Sequence, residues 1–220
     1  MTVMVSRSGH HEDTKSLLCF QHCDRHTNIV CFMVPEVCPL CHQNTALTES
    51  RVPPFRLSSP FTSSLQSSCC IAVKPTNGTF TRNYTTSANL HVGITDSHGR
   101  MFDFDEEGLH RDSVWPECLT ISLLPMTGLD SRQWDMRLHQ YVNPMVWTAY
   151  RYNEEHKNCF DFVLGFLHWL NLHHTFPEFS DKQSFITHFL LKRTTKVGQF
   201  ISMYRQVEQF GFLCQTACPS

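Results

Sequence analysis

The alternation of apolar and polar positions divides the chain into a strand-forming middle and a helix-forming end. Cys70 to Lys74 is a short apolar run bounded by Pro75 and the turn Thr76-Asn77-Gly78, with Thr79 to Tyr84 placed to pair back on it as a hairpin. Leu90 to Thr95 and Arg100 to Phe104 predict two further strands joined by the tight turn Asp96-Ser97-His98-Gly99. Leu119 to Leu124 alternates Leu and Ile with Thr and Ser, another strand, so an antiparallel sheet of roughly four to six strands is expected. Beyond residue 130 the period changes to that of a helix. Ser131 to Val142 puts Trp134, Leu138 and Tyr141 on one face, and Cys159 to Leu172 does the same with Phe160, Val163, Leu164 and Leu167. Asp181 is placed to cap a helix carrying Phe185, Ile186, Phe189 and Leu190, and Lys196 to Gln209 forms a last helix that Gly211 ends. Strands followed by packed helices make an α+β domain.

The remainder of the chain lacks such periodicity. Residues 1–16 are polar and read as a disordered tail. Residues 17–45 hold five of the eleven cysteines and read as a small module, and 46–68 is an irregular Ser- and Pro-rich connection. The α+β domain is then 69–220. At 41% hydrophobic residues the chain can build a core, and no apolar run reaches the roughly 20 residues of a membrane span. A formal net charge of −2 offers no basic footprint for nucleic acid. The N-terminus has no apolar stretch of signal-peptide length, which points to a cytoplasmic or nuclear protein that is not secreted. In those compartments cysteines are reduced, metal-bound or catalytic, rather than disulfide-bonded.

Two groups of residues carry chemistry. In the cysteine-rich module, Cys38-Pro39-Leu40-Cys41 has the two-residue spacing of a zinc knuckle, whose tight turn points both sulfurs at one ion. His22 and Cys23 supply a second pair, with Cys19 as an alternative ligand. A structural zinc would stabilise a module of some 30 residues that has little core of its own, and no organic cofactor is expected. The histidine pairs His10-His11 and His173-His174, the basic residues Lys192, Arg193 and Lys196, and the pair Cys214 and Cys218 read as surface or structural features, and the four tryptophans as core.

The second group lies in the α+β domain. His91 sits on an apolar strand beside Gly93, which leaves room for a substrate or a close backbone approach. Cys159 follows the capping residue Asn158 at the start of an apolar helix, where unpaired amides and the macrodipole favour a thiolate. Asp103, across the Asp96–Gly99 turn, is placed to orient the imidazole, with Asp105 on the same face nearer the strand end. Cysteine nucleophile, histidine base and acidic orienter are the apparatus of a thiol hydrolase or acyltransferase.

The segments from Asn89 to Asp105 and from Asn158 to Phe162 resemble the permuted papain-like group that includes deSUMOylating isopeptidases and lecithin:retinol acyltransferase-type proteins. There a strand histidine precedes an Asn-Cys dipeptide that opens a helix, so His91 matches the base and Cys159 the nucleophile. Asp103 stands where acyltransferase-type members have a second histidine, and Asp161 where a histidine is usual. The resemblance implies attack on an isopeptide, thioester or ester carbonyl of a protein or lipid substrate. The rival reading is an inactive papain-like fold that binds a protein partner and holds a structural zinc. From about residue 20 onward, Cys38–Cys41, Leu90–Thr95, His156–Cys159, Phe200–Arg205 and Gly211-Phe212 fall in the order and spacing of the makorin-2 opposite strand protein family. That resemblance brings no activity with it.

Overall fold

A computed structural model describes residues 15–85 and 87–217, with the side chains of 193–196 left out. The expected tail (apart from 15 and 16), His10-His11, Cys218 and most of the basic group at 192–196 lie outside the described residues or side chains. The strands are β1 (Leu18–Gln21), β2 (Thr27–Cys31), β3 (Val52–Arg56), β4 (Cys70–Pro75), β5 (Leu90–Thr95), β6 (Met101–Asp105), β7 (Gly108–Ser113), β8 (Leu119–Ser122) and β9 (Phe212–Thr216). The helices are α1 (Leu124–Thr127), α2 (Ser131–Tyr141), α3 (Cys159–Trp169), α4 (Lys182–Ser184) and α5 (Leu191–Phe210), with a π-helical turn Phe185–Leu190 between α4 and α5. The chain is α+β, and its described residues divide into two compact units, one formed by 15–59 with 206–217, the other lying within 60–205.

The first unit is a four-stranded antiparallel sheet in the order β3-β1-β2-β9. Phe20, Ile29, Cys31 and Cys38 form its buried cluster, with Leu18, Cys23, Cys41 and Cys214 packed against it. Where an irregular connection was expected, Val52–Arg56 forms a strand despite Pro53 and Pro54. It lies at the sheet edge, and its register against β1 shifts opposite the two prolines, so edge position and a local irregularity together absorb the missing N–H groups. The cysteine-rich segment therefore shares one sheet with β9 from the far end of the chain, a pairing that no local pattern reveals.

The second unit is built on a five-stranded antiparallel sheet in the order β7-β6-β5-β4-β8. In β4, Ile71, Ala72 and Val73 are fully buried, as suits a strand with neighbours on both sides. Helix α3 packs against β5 and β6. Its buried Phe162, Val163, Phe166 and Leu167 recur at the three- and four-residue spacing of one helical face. Trp134 from α2 is fully buried, stacks edge-on with Phe166, and donates its indole N–H to the Thr95 carbonyl at 2.9 Å. The turn between β5 and β6 is held by Asp96, wholly buried, whose carboxylate accepts from the amides of His98 and Arg100 and from the Arg100 guanidinium at 2.6 Å.

Several elements differ from the sequence expectation. Thr79–Tyr84 does not return along β4 as a strand. Its backbone groups go elsewhere: the Arg205 guanidinium takes the carbonyls of Phe80, Thr81 and Tyr84, and the Thr81 amide donates to the Glu117 carboxylate. β7 was not expected, because Gly108–Ser113 lacks apolar alternation; it forms by pairing with β6 at the sheet edge. The two C-terminal helices run on from one another without a break, since nothing between Leu190 and Lys196 stops a helix. Trp169 is 52% exposed, whereas the other three tryptophans are buried.

Candidate functional site

His91, Asp103 and Cys159 converge on one wall of a cleft of about 790 Å³ in the second unit. His91 is 9% exposed on β5, and Asp103, 4% exposed, lies on the adjacent β6 opposite Gly93. The His91 Nε2 is hydrogen-bonded to Asp103 Oδ2 at 2.9 Å. That bond leaves Nδ1 as the ring nitrogen not held by Asp103, and Cys159, which lines the same cleft, is the other group that favours the charged imidazole. Burial opposes a charged ring, but Asp103 and Cys159 together outweigh it and push His91 from 6.5 up to about 9. The ring also packs against Trp115, 5.3 Å between centroids, and Trp115 is anchored in turn by buried Ser64, which accepts its amide at 3.1 Å.

Gly93 serves the close approach of β6 and not a substrate. A Cβ there would meet Met101 Sδ at 2.7 Å, the Phe102 carbonyl at 2.9 Å and Asp103 Cβ at 3.1 Å. The lack of a side chain thus lets Asp103 lie close enough to reach diagonally to His91.

Cys159, 6% exposed, is the first residue of α3. The side-chain oxygen of the capping residue Asn158 accepts from the Phe160 backbone N–H at 3.0 Å, and the Asn158 backbone N–H donates to Asp161 Oδ2 at 2.9 Å, a reciprocal capping box. Asp161, which also pairs with Lys182 at 2.7 Å, therefore fixes the helix start that carries the thiol. Asp105, the other acid considered for His91, has its Oδ1 hydrogen-bonded to His110 Nε2 at 2.7 Å and to the Glu107 amide. Ligand atoms of His91, Asp103 and Asp105 lie within 4.8 Å of one another, a group able to hold a metal, although the His91 Nε2 and the Asp105 Oδ1 are already engaged by protein partners.

Two features of the cleft were not anticipated. Tyr152 lines it and is held above the ordinary phenol range, first by burial and then by the negative charges of Cys159, Glu106 and Glu154. Glu106, Glu154 and Glu155 also line it, from the β6–β7 turn and from the turn closed by the Asn153–Lys157 bridge. No periodicity marks these residues, because turns that are distant in sequence bring them together.

The first unit assembles the other predicted group. One ligand atom each from His22, Cys23, Cys38 and Cys41 lies within 4.8 Å of the others, so the cluster can hold a metal ion. Cys19 is not among them. It lies on β1, and burial raises its thiol above the ordinary range. The knuckle shows the expected support: the Leu40 amide points to Cys38 Sγ at 3.4 Å, and the Gln43 amide is the main influence holding the Cys41 thiol below its ordinary value. Cys23 is pushed up to about 11 by burial and by Cys41 and Cys38. His22 Nδ1 faces Cys41 Sγ at 3.4 Å, while its Nε2 bonds Thr48 Oγ1 at 2.7 Å, the outer contact that orients a ligating imidazole. The ten cysteines among the described residues carry free thiols, and no helix among them is long and apolar enough to cross a membrane.

The family profile described as DUF4796 C-terminal matches residues 54–207, and DUF4796 N-terminal matches residues 15–44. No solved structure matches the chain. The human MKRN2 opposite strand protein is 34% identical over 211 residues, covering 94% of this chain and 92% of the relative. With a family profile over most of its length and this identity across nearly all of it, the chain belongs to the MKRN2 opposite strand protein family, the family of the DUF4796 regions.

Proposed function

We propose that the second unit is a thiol hydrolase or acyltransferase of the permuted papain-like class. The observation that carries this reading is the convergence of a helix-opening cysteine, a buried histidine and a buried aspartate at one cleft wall. Cys159 gives its thiol proton to His91, its Sγ attacks the carbonyl carbon of an amide, isopeptide, thioester or ester, and the oxygen becomes an oxyanion facing the Cys159 amide at the positive end of α3. The carbonyl re-forms as the bond to the leaving group breaks, and the imidazolium of His91 gives that group its proton. Water then attacks the acyl-thioester with His91 taking a proton, which releases the acid and restores the thiol pair; in an acyltransferase an acceptor replaces the water. Asp103 holds the ring orientation throughout and stabilises its charged form.

Labelling with iodoacetamide tests this. Cys159 is expected to alkylate faster at pH 7 than the other cysteines when each is quantified by peptide mass spectrometry, and His91→Ala is expected to slow it at least tenfold. Uniform labelling across the thiols would reject the reading and favour an inactive fold that serves as a binding module.

The cluster in the first unit supports a second and separate reading, a structural zinc. One nitrogen and three sulfurs in a closed set are the donors of a structural zinc centre, and a positive ion would relieve the crowding of three thiols near one point. Zinc there would tie the Cys38–Cys41 turn to the end of β1 and leave no open position for catalysis.

A further inference from the structure

The reading of the cleft as a thiol active site leaves its substrate open among isopeptides, thioesters and lipid esters, and the charge on the cleft wall narrows the choice. Apart from Asp103, which is paired with the charged His91, the wall carries the carboxylates of Asp105, Glu106, Glu154 and Glu155 against a single lysine, Lys74. That lysine is drawn onto the face of Trp115, 5.1 Å from its ring centroid. The other cations nearby are already engaged: Lys182 pairs with Asp161 at 2.7 Å and donates to the Glu155 carbonyl at 3.0 Å, and Lys157 lies over Trp147 and donates to the Val146 carbonyl. Asp105 is partnered by His110, and Glu155 has only a 3.5 Å contact with exposed His156. Glu106 and Glu154 have no ion-pair partner among the described residues, and both are exposed at the mouth.

A second observation points to a donor-bearing ligand. Asp103 uses one oxygen on His91, while its Oδ1 is buried and has no hydrogen-bond partner among the described residues. Such an orphaned acceptor normally finds a donor, and because Asp103 lines the cleft, a ligand N–H or an ordered water there is the group that supplies it. Phosphate-bearing acyl carriers, whether phospholipids or nucleotide thioesters, would enter against the field of the four outer carboxylates. A free polyamine has the right charge but no carbonyl for Cys159 to attack. Clefts of roughly 300–1,000 Å³ take ligands larger than a single amino acid, and a peptide supplies carbonyl, N–H donors and cationic side chains together.

We propose that this cleft selects a peptide or isopeptide whose residues beside the scissile carbonyl carry lysine or arginine side chains, with Glu106 and Glu154 as the specificity-determining acids. The proposal rests on the thiol-site reading, and the two can fail separately. Three tripeptide chloromethyl ketones, identical except for lysine, alanine or glutamate beside the reactive carbonyl, are reacted with the full chain. Alkylation of Cys159, in which its sulfur displaces chloride, is followed by mass spectrometry at low and high salt. The lysine probe is expected to react about tenfold faster than the glutamate probe at low ionic strength, with the gap closing in several hundred millimolar salt. Glu106→Gln combined with Glu154→Gln should shrink the lysine-to-glutamate ratio. Equal rates for the three probes, alongside selective iodoacetamide labelling of Cys159, would overturn the charge selection and leave the thiol site standing. Absence of selective labelling by iodoacetamide would remove both.

Discussion

Replacing Asp103 with asparagine separates charge from shape at the center of the candidate site. The amide keeps the size of the side chain and an oxygen that can accept from His91 Nε2, now 2.9 Å from the carboxylate, but removes the negative charge. Raising the ring from 6.5 to about 9 corresponds to about 3 kcal/mol of preference for the imidazolium, reached against a burial penalty. Asp103 and Cys159 share that preference, so Asp103→Asn should forfeit on the order of 1–2 kcal/mol of it and bring the ring titration down by at least one pH unit. Because the folded value is raised, this stabilisation is complete below about pH 6.5 and fades as pH rises through about 9. The variant should therefore lose most stability near pH 6 and least above pH 9. The His91 ring signal, assigned with His91→Gln, gives the titration by NMR, and urea unfolding at the two pH values gives the stability difference. A ring that titrates at the same pH in both proteins, or a deficit that grows with pH, would refute the coupling.

Three further outcomes follow from the packing. Gly93→Ala forces a Cβ against the Phe102 carbonyl and Asp103 Cβ, and should cost about 1–3 kcal/mol in urea unfolding while lowering the Cys159 alkylation rate through the displaced Asp103. Trp134→Phe leaves the Thr95 carbonyl without its indole donor in the core, an expected loss of about 1–3 kcal/mol by the same measurement; a loss below 0.5 kcal/mol would mean the bond is dispensable. Purified chain should contain about one zinc per molecule by atomic spectroscopy, and Cys38→Ser with Cys41→Ser should remove it. Retention of a full complement by that double variant would show that the ion sits elsewhere.

Much of the architecture follows from short-range pattern. Apolar runs and their turns mark β4, β5 and β6 because a strand inside a sheet must be apolar on the faces it buries, the apolar–polar alternation of Leu119–Ser122 marks the edge strand β8, and Asp96–Gly99 carries the turn residues that join β5 to β6. The helix starts are equally local: Asn158 before Cys159 and Asp181 before Lys182 cap with their own side chains. The knuckle cysteines and Cys159 were legible for the same reason, since the knuckle spacing and a cysteine after a capping asparagine are features of a few adjacent residues.

What sequence pattern alone left undecided depends on residues far apart in the chain. β9 joins β2 across nearly the whole sequence, and β7 exists because the edge of β6 offers unpaired backbone groups, neither of which a local period can encode. Arg205 takes the carbonyls of Phe80, Thr81 and Tyr84, which keeps that segment out of the sheet. The sequence placed Asp103 as the partner of His91 with Asp105 beside it, and what holds Asp103 rather than Asp105 against the ring is tertiary. Alternation puts both acids on one strand face, but His110 engages Asp105 and the bare Gly93 lets Asp103 come close. The acidic mouth of the cleft is likewise made only when two separate turns meet beside Cys159, so its charge is a property of the fold and not of any one segment.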